Sequence, residues 1–577
     1  MNPLEELPLS AKRLPTLLLA FLTFTVVALA QTVPELLVEA DAKFQAGQQT
    51  EARALYEAIV EREPGTVQAW VRLGLLYSWE NRLTESLSAY EKALSLAEGD
   101  VDLRLDIARI RSWEGDLKLS IENYRQIIAD HPSRLDARLA LAQVLAWDNQ
   151  FDSSIETYDA ILQLDPGNLK ARLGKAQTYS WSERTELAET QYREILKDNP
   201  KQEDAWLALA RVVSWQDRLP EAISIYEEFL KEYPENASAH TGLGQVHSWQ
   251  GMDKKAYAST RRALALDPSD RDAKKLKRNL DLRHRPSFDP YYLGSRDSDG
   301  NQLQVVGGDF SFDLDPQVRA SIGYRNQSAS YGNPVSDGQA TAVTASLNAR
   351  LSPEVALSGT FGQISLDPRS AGYIRREPIG SLGLALTPTS KDSFNLGFQR
   401  EALADTSQLI ANDITAKTVS INYRRRLPGD NNIALGYSNT EFSDQNRRDV
   451  VFASAWHDFR RWGPNIALGV THRALTFDHR TFSGYFAPPT FKTTEAFFRV
   501  DNHETDNPWL YSLELAGGQQ KIDKEGSQFV HRIGASLGYR FTDNVELELS
   551  GLTSNSAIST VSGFRYSNAG ARMKIRF

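Results

Sequence analysis

The sequence predicts an α + β multidomain chain: an N-terminal helical solenoid followed by a C-terminal transmembrane antiparallel β-barrel of about 16 strands. Three observations predict it. Tryptophans recur at a fixed 34-residue spacing through one half, and an apolar/polar alternation of period two fills the other. An apolar run behind two basic residues opens the chain. The 577 residues contain no cysteine, which excludes disulfide scaffolds, zinc–thiolate sites and thiol catalysis. A net charge of −9 carries no footprint of a general nucleic-acid binder.

Lys12 and Arg13 precede the apolar run from Leu14 to Ala30, which closes on Ala28-Leu29-Ala30, a small-x-small cleavage pattern. Residues 1–30 are therefore expected to be a signal peptide with the mature start at Gln31, the alternative being an uncleaved anchor. No later segment approaches the ~20 apolar residues of a spanning helix.

Trp79, Trp113, Trp147, Trp181, Trp215 and Trp249 share one register, together with Tyr56, Tyr90, Tyr124, Tyr158, Tyr192 and Tyr226. Small residues (Ala52, Ser86, Ser120, Ser154, Ala188, Ala222, Ala256) follow the same period, as do Pro64, Pro132, Pro166, Pro200, Pro234 and Pro268. Period and pattern resemble tetratricopeptide repeats, helix–turn–helix units that stack into a superhelix with a concave surface. About seven repeats fit between residues 31 and 270. The stripe Trp70, Leu73, Gly74, Tyr77 marks the buried face of a first helix. Trp79 follows Trp70 by nine positions, half a turn away at about 100° per residue, so it points from that core toward the groove. The six tryptophans then form a ladder of aromatic plates suited to pyranose faces; packing onto the neighbouring repeat is the competing role. Residues 271–287 supply a basic, polar capping helix and a linker.

From residue 288 to 577 the period becomes two. Val545, Leu547 and Leu549 alternate with Glu546, Glu548 and Ser550, and Ala569–Phe577 alternates with Arg572, Lys574 and Arg576. Such segments suit tilted membrane strands of about nine to eleven residues with a polar lumen. A soluble sandwich or propeller is the alternative. The terminal aromatic Phe577 reads as an outer-membrane assembly signal. Asp297-Ser298-Asp299-Gly300-Asn301 lacks the Gly and Glu of a calcium loop and reads as a hairpin turn.

Catalytic and metal motifs are absent from the sequence, and no cofactor is expected. His457, His472, His479, His503 and His531 lack ligand spacing and read as lumen or loop residues. The basic runs Arg375-Arg376, Arg424-Arg425-Arg426, Arg447-Arg448 and Arg460-Arg461 each place a residue toward the lumen or a rim. Gln31–Arg285 holds 34 basic and 42 acidic residues, and the remainder from Pro286 holds 29 and 30. That balance favours a neutral or cationic cargo.

An exported repeat arm followed by a terminal barrel resembles the exopolysaccharide-export porins of the cellulose synthase operon protein C and poly-N-acetylglucosamine exporter type. Gly484-Tyr485-Phe486-Ala487-Pro488 is similar to the Gly-Tyr-Phe-Ser-Pro element of the cellulose protein's barrel, with Ala487 in place of serine. The 297–301 turn and the Ser-Trp pairs, such as 78–79 and 248–249, are similar to elements of that group. The arm has far fewer repeats than the cellulose protein, which leaves open its reach to a periplasmic synthase. The resemblance implies a non-enzymatic transport protein of the bacterial outer membrane with a periplasmic repeat domain. Its implied partners are a polysaccharide cargo, periplasmic or inner-membrane synthesis proteins, outer-membrane lipid and the barrel-assembly machinery. A barrel-anchored scaffold for envelope proteins is the alternative.

Overall fold

The computed structural model describes residues 31–331, 336–369, 372–460, 464–481, 483–502, 507–556 and 565–577. The predicted signal peptide, Arg461 and His503 lie outside the described residues. The chain forms two compact units, one up to Gln216 and one from Asp217 to Phe577.

The first unit is a run of antiparallel helix pairs. These are α1 (Val33–Gln45) with α2 (Gln49–Arg62), α3 (Val67–Trp79) with α4 (Leu83–Leu96), and α5 (Val101–Glu114) with α6 (Leu117–Asp130). Next come α7 (Leu135–Trp147) with α8 (Phe151–Leu164) and α9 (Leu169–Trp181) with α10 (Thr185–Asp198). The unit ends on α11 (Glu203–Trp215).

Each pair is locked by the residues that carry the period. The ring of Tyr90 lies against Gly74 of its own pair, where a Cβ would stand 2.7 Å away, and Tyr158 of α8 covers Gly174 of α9 in the following pair. Glycine is therefore required where the tyrosine fills the angle between helices. The Ser86, Ser120 and Ser154 hydroxyls donate to the carbonyls of Gly74, Ala108 and Ala142 at 2.6–2.7 Å, so the small buried position is also hydrogen-bonded. Between repeats, the side chain six residues past the proline closes the turn. Trp70 Nε1 donates to the Pro64 carbonyl at 2.8 Å and Trp206 Nε1 to that of Pro200 at 2.7 Å. Two residues beyond each tryptophan the chain turns through the left-handed region, at Asn81, Gly115, Asn149 and Glu183.

The second unit holds α12 (Leu219–Glu232), α13 (Ala237–Trp249), α14 (Asp253–Leu266) and α15 (Arg271–His284). Leu276 and Leu280 of α15 are buried against Ala256, so this strongly basic helix hides one apolar face. Sixteen strands follow. They are β1 (Ser287–Asp297), β2 (Gln302–Asp315), β3 (Val318–Tyr331), β4 (Ser336–Ser352), β5 (Val355–Asp367), β6 (Arg375–Leu386), β7 (Asp392–Ala402) and β8 (Thr415–Leu427). The second half comprises β9 (Asn431–Phe442), β10 (Arg447–Arg460), β11 (Asn465–Phe477), β12 (Thr490–Asn502), β13 (Trp509–Ile522), β14 (Gln528–Thr542), β15 (Val545–Ser554) and β16 (Tyr566–Arg576). A short helix α16 (Ser407–Asn412) lies between β7 and β8.

Every strand pairs with its sequence neighbours, and β1 pairs antiparallel with β16, closing the barrel. The 16-strand barrel expected from the alternation is present. Its outer face carries exposed apolar side chains such as Val306, Phe361, Leu382, Val419, Leu468 and Leu549. Asp297 accepts from the backbone N–H of Asp299 and Asn301, and Gly300 takes a positive φ, so 297–301 is the hairpin turn expected. Among the described residues no helix is long and apolar enough to cross a membrane. A closed barrel of this kind fits an outer-membrane protein.

Tyr124 is 3% exposed. Tyr124→Ala is expected to lower the stability of the repeat unit by about 3–5 kcal/mol in urea unfolding, as large aromatic truncations in cores do.

Candidate functional site

The tryptophans stand at the C-terminal ends of the first helices, facing away from the tyrosine-filled core. Their exposures run from 40% at Trp147 to 53% at Trp79, with Trp113, Trp181 and Trp215 between them, and Trp249 of the second unit is 50% exposed. Full burial in packing is thereby excluded. Phe44 stacks on Trp79 at 5.5 Å. The guanidinium groups of Arg109 and Arg211 lie 5.6 and 5.9 Å from the Trp113 and Trp215 ring centroids. Beside this row, burial holds the Asp106 carboxyl above its usual range although Arg109 pairs with it.

Alternation along each strand decides what faces the lumen. Arg375, Arg424, Arg426, Arg448, Arg473, Arg499 and Arg532 point inward, as do Asp289, Asp309, Glu401, Glu495, Glu514, Glu546 and Glu548. The lumen is thus polar and carries both signs. His457, His472 and His531 are a correction to the sequence reading: they share the outward face with Leu468, Val451 and Leu515, not the lumen. His479 lies in the loop between β11 and β12, as expected.

At the end of the barrel away from Phe577, two connecting segments fold inward. Leu409 and Ile410, consecutive in α16, enter different clusters. Ile410 packs with Ala340, Ala342, Ile364 and Leu366 on the inner faces of β4 and β5. Leu409 packs with Ala416, Phe442, Phe477 and Tyr485. The Gln327 amide donates to the Ala404 carbonyl at 2.6 Å and fixes the segment to β3. The second segment carries the Gly484-Tyr485-Phe486-Ala487-Pro488 motif. Tyr485 is 4% exposed, stacks on Phe442 at 4.5 Å and donates its hydroxyl to Asp444 at 2.9 Å. Phe486 meets Phe491 edge-on at 5.9 Å. Gly484 has φ +103°, and a Cβ there would press on Gln408 of α16, so the glycine permits the two segments to touch. Hydrogen bonds from Ser483, Tyr485 and Thr481 hold the Asp444 carboxyl below its usual range, although burial opposes them. No periodicity marks α16 in the sequence, because six residues are too short for a helical period.

The opposite rim carries the chain ends. Phe577 donates its N–H to the Pro286 carbonyl at 2.9 Å and joins outward aromatics Phe288, Phe394, Tyr423, Trp509 and Phe541 in a girdle. Here α15 docks on the barrel. His284 bridges two carboxylates, with Nε2 2.9 Å from Asp253 and Nδ1 against Asp313, while Arg283 reaches Asp253 at 2.7 Å and Arg319 reaches Asp313 at 2.8 Å. Arg278 pairs with Asp543 in the β14–β15 turn. A cavity of about 1540 Å³ opens at this rim, lined by α15 residues Lys274 and Arg278 and by Asp289, Asp313 and Arg576 of the barrel. Burial lowers the His284 pKa, but the two carboxylates outweigh it and raise the group above its ordinary 6.5.

Residues 37–101 and 105–168 match one tetratricopeptide repeat family model, and 148–212 and 216–280 match a second. These residues are tetratricopeptide repeats, followed by a closed 16-strand barrel. Similar solved structures include a tetratricopeptide repeat protein from Parabacteroides merdae, 17% identical, with a TM-score of 0.39 over 43% of this chain and 97% of that one. Another is a bacterial polysaccharide outer membrane secretin, 13% identical, with a TM-score of 0.41 over 51% of this chain and 99% of that one. No curated protein matches the sequence.

A raised His284 stabilises the folded joint below its unfolded pKa, and that contribution is lost as pH rises through the folded value. Amide exchange of α15 is therefore expected to accelerate as pH climbs above 6.5, after correction for intrinsic exchange. His284→Gln should flatten that dependence.

Proposed function

We propose that this chain is an outer-membrane export porin, whose periplasmic repeats guide a secreted polysaccharide or its synthesis machinery to the barrel channel. The observation that carries the reading is a closed barrel, apolar outside and charged inside, continuous in sequence with a repeat array in which every repeat after the first exposes a tryptophan. A barrel that served as an anchor alone has no need of a charged interior, since burying unsolvated charge is costly. In this reading the half-exposed Trp79, Trp113, Trp147, Trp181, Trp215 and Trp249 stack on sugar faces. The segments around Leu409 and Tyr485 act as a gate, and Phe577 serves as the assembly signal. Repeats of this kind also present protein-binding surfaces, which suits a synthesis complex as partner.

The inward-folded segments favour one second reading, a barrel that is shut and anchors a periplasmic scaffold. Planar-bilayer recording separates the two. The export reading expects ion conductance that rises when residues 405–412 are deleted; a deletion variant silent at all voltages points to the scaffold. Loss of Phe577 is expected to reduce the heat-modifiable, membrane-inserted fraction, which gel mobility measures. Trp147→Ala and Trp181→Ala are expected to cost roughly 1 kcal/mol or less each, well under a buried Trp truncation. They should remove the fluorescence response of the protein to β-linked oligosaccharides.

A further inference from the structure

One wall of the lumen is unlike the rest. Along β10, Arg448, Phe452 and Trp456 stand four residues apart on the inner face, a run of roughly 27 Å at 3.4 Å per residue. The neighbouring strands give this wall glycines where the rings lie. A Cβ on Gly436 would meet Phe452, and one on Gly469 would meet both Trp456 and Phe497. The missing side chains let these aromatics lie down against the wall. Guanidinium groups stand between them. Arg473 is in register with Phe452, the Arg424 guanidinium lies 4.8 Å from the Trp456 ring centroid, and Arg499 is 5.9 Å from that of Phe497.

These cations are incompletely matched by acids. Among the described residues Arg424, Arg448 and Arg473 have no carboxylate within ion-pair distance, whereas Arg532 is paired with Glu495 and Glu514. Arg448 contacts Thr440 Oγ1 at 3.3 Å, yet its Nε is buried without a hydrogen-bond partner, as is the indole N–H of Trp456. Arg499 has its Nε 3.5 Å from Asp501, and Glu514 stands opposite it on β13. The wall of β4 and β5, by contrast, is uncharged at mid-height, with Thr344, Ser346 and Thr360 facing in.

We infer that the β8–β12 wall is a cargo lane that takes a polysaccharide bearing carboxylate groups, its rings stacking on Phe452 and Trp456 and its carboxylates engaging Arg448 and Arg473. Planar guanidinium groups match carboxylates in bidentate geometry, and aromatic plates hold sugar rings while tolerating sliding. The inference rests on the export reading and narrows it. It also revises the charge argument from the sequence, which summed over each half and so could not see arginines that lack an ion-pair partner inside a balanced barrel. The acidic repeats remain compatible with a cargo whose carboxylates are sparse along the chain.

Titration calorimetry with the full detergent-solubilised protein, using oligogalacturonate and a neutral β-linked gluco-oligosaccharide of equal length, tests the lane without requiring conduction. The acidic oligomer is expected to bind about tenfold more tightly at low salt, the equivalent of about 1.4 kcal/mol, and to lose that advantage as salt rises. The double variant Arg448→Gln/Arg473→Gln should abolish the preference, Arg448→Lys/Arg473→Lys should keep part of it, and heat-modifiability confirms that each variant is inserted. Equal affinity for the two oligomers, or a preference untouched by the glutamine variant, overturns the lane. Bilayer blockade judges the export reading separately. A silent barrel with the preference intact defeats export alone, and a conducting barrel without the preference defeats the lane alone.

Discussion

The closure of β1 on β16 is the interaction on which the rest of this structure depends. A membrane offers no partners to backbone N–H and C=O groups, so a sheet that enters it must leave no edge. The register from Ser287–Arg576 to Asp297–Tyr566 removes the last edge. With an even number of antiparallel strands, closure also brings both ends of the barrel sequence to one rim. The helix α15 that leads into β1, the Phe577 girdle and the charged joint at His284 therefore gather there. The two segments that fold into the lumen belong to the other rim.

The repeat half was legible because its code is local and repeated. The serine–carbonyl contacts recur with the same spacing, and the tyrosines with the same period, so each repeat corroborates the next. The barrel was legible for a related reason: alternation such as Val545–Ser550 follows from an apolar outer face and a polar lumen. Partners brought together across the chain left no such trace. His284 meets Asp253 and Asp313 from 31 and 29 residues away, and Leu409 meets Tyr485 only because both segments turn inward. The outward histidines show where a local signal was present but unused, since counting from Leu468 or Leu515 fixes their face. Tyr485 stood out by resemblance alone, and its burial beside Asp444 supplies the physical reason for the motif.

Charge organisation follows the same division. Net charge separates an acidic repeat half from a nearly neutral barrel half, yet the barrel's neutrality conceals paired and unpaired cations. Arg540 and Arg576 both approach Glu546 near the terminal rim, while among the described residues Arg448 and Arg473 have no carboxylate within ion-pair distance. Sums over sequence describe long-range fields; position on the inner wall describes recognition.

The inward-folded segments have a thermal consequence. α16 and the Tyr485 segment are held to the walls by apolar contact, through Leu409, Ile410, Ile364, Leu366, Phe442 and Phe477, as well as by hydrogen bonds such as those of Tyr485 and Ser483 to Asp444. Apolar association draws its strength near room temperature from water entropy and weakens on cooling. The apolar share of this seam, at the end of the barrel away from Phe577, is thus fastened more firmly in warmth than in cold, whereas its hydrogen-bonded share at Asp444 is not.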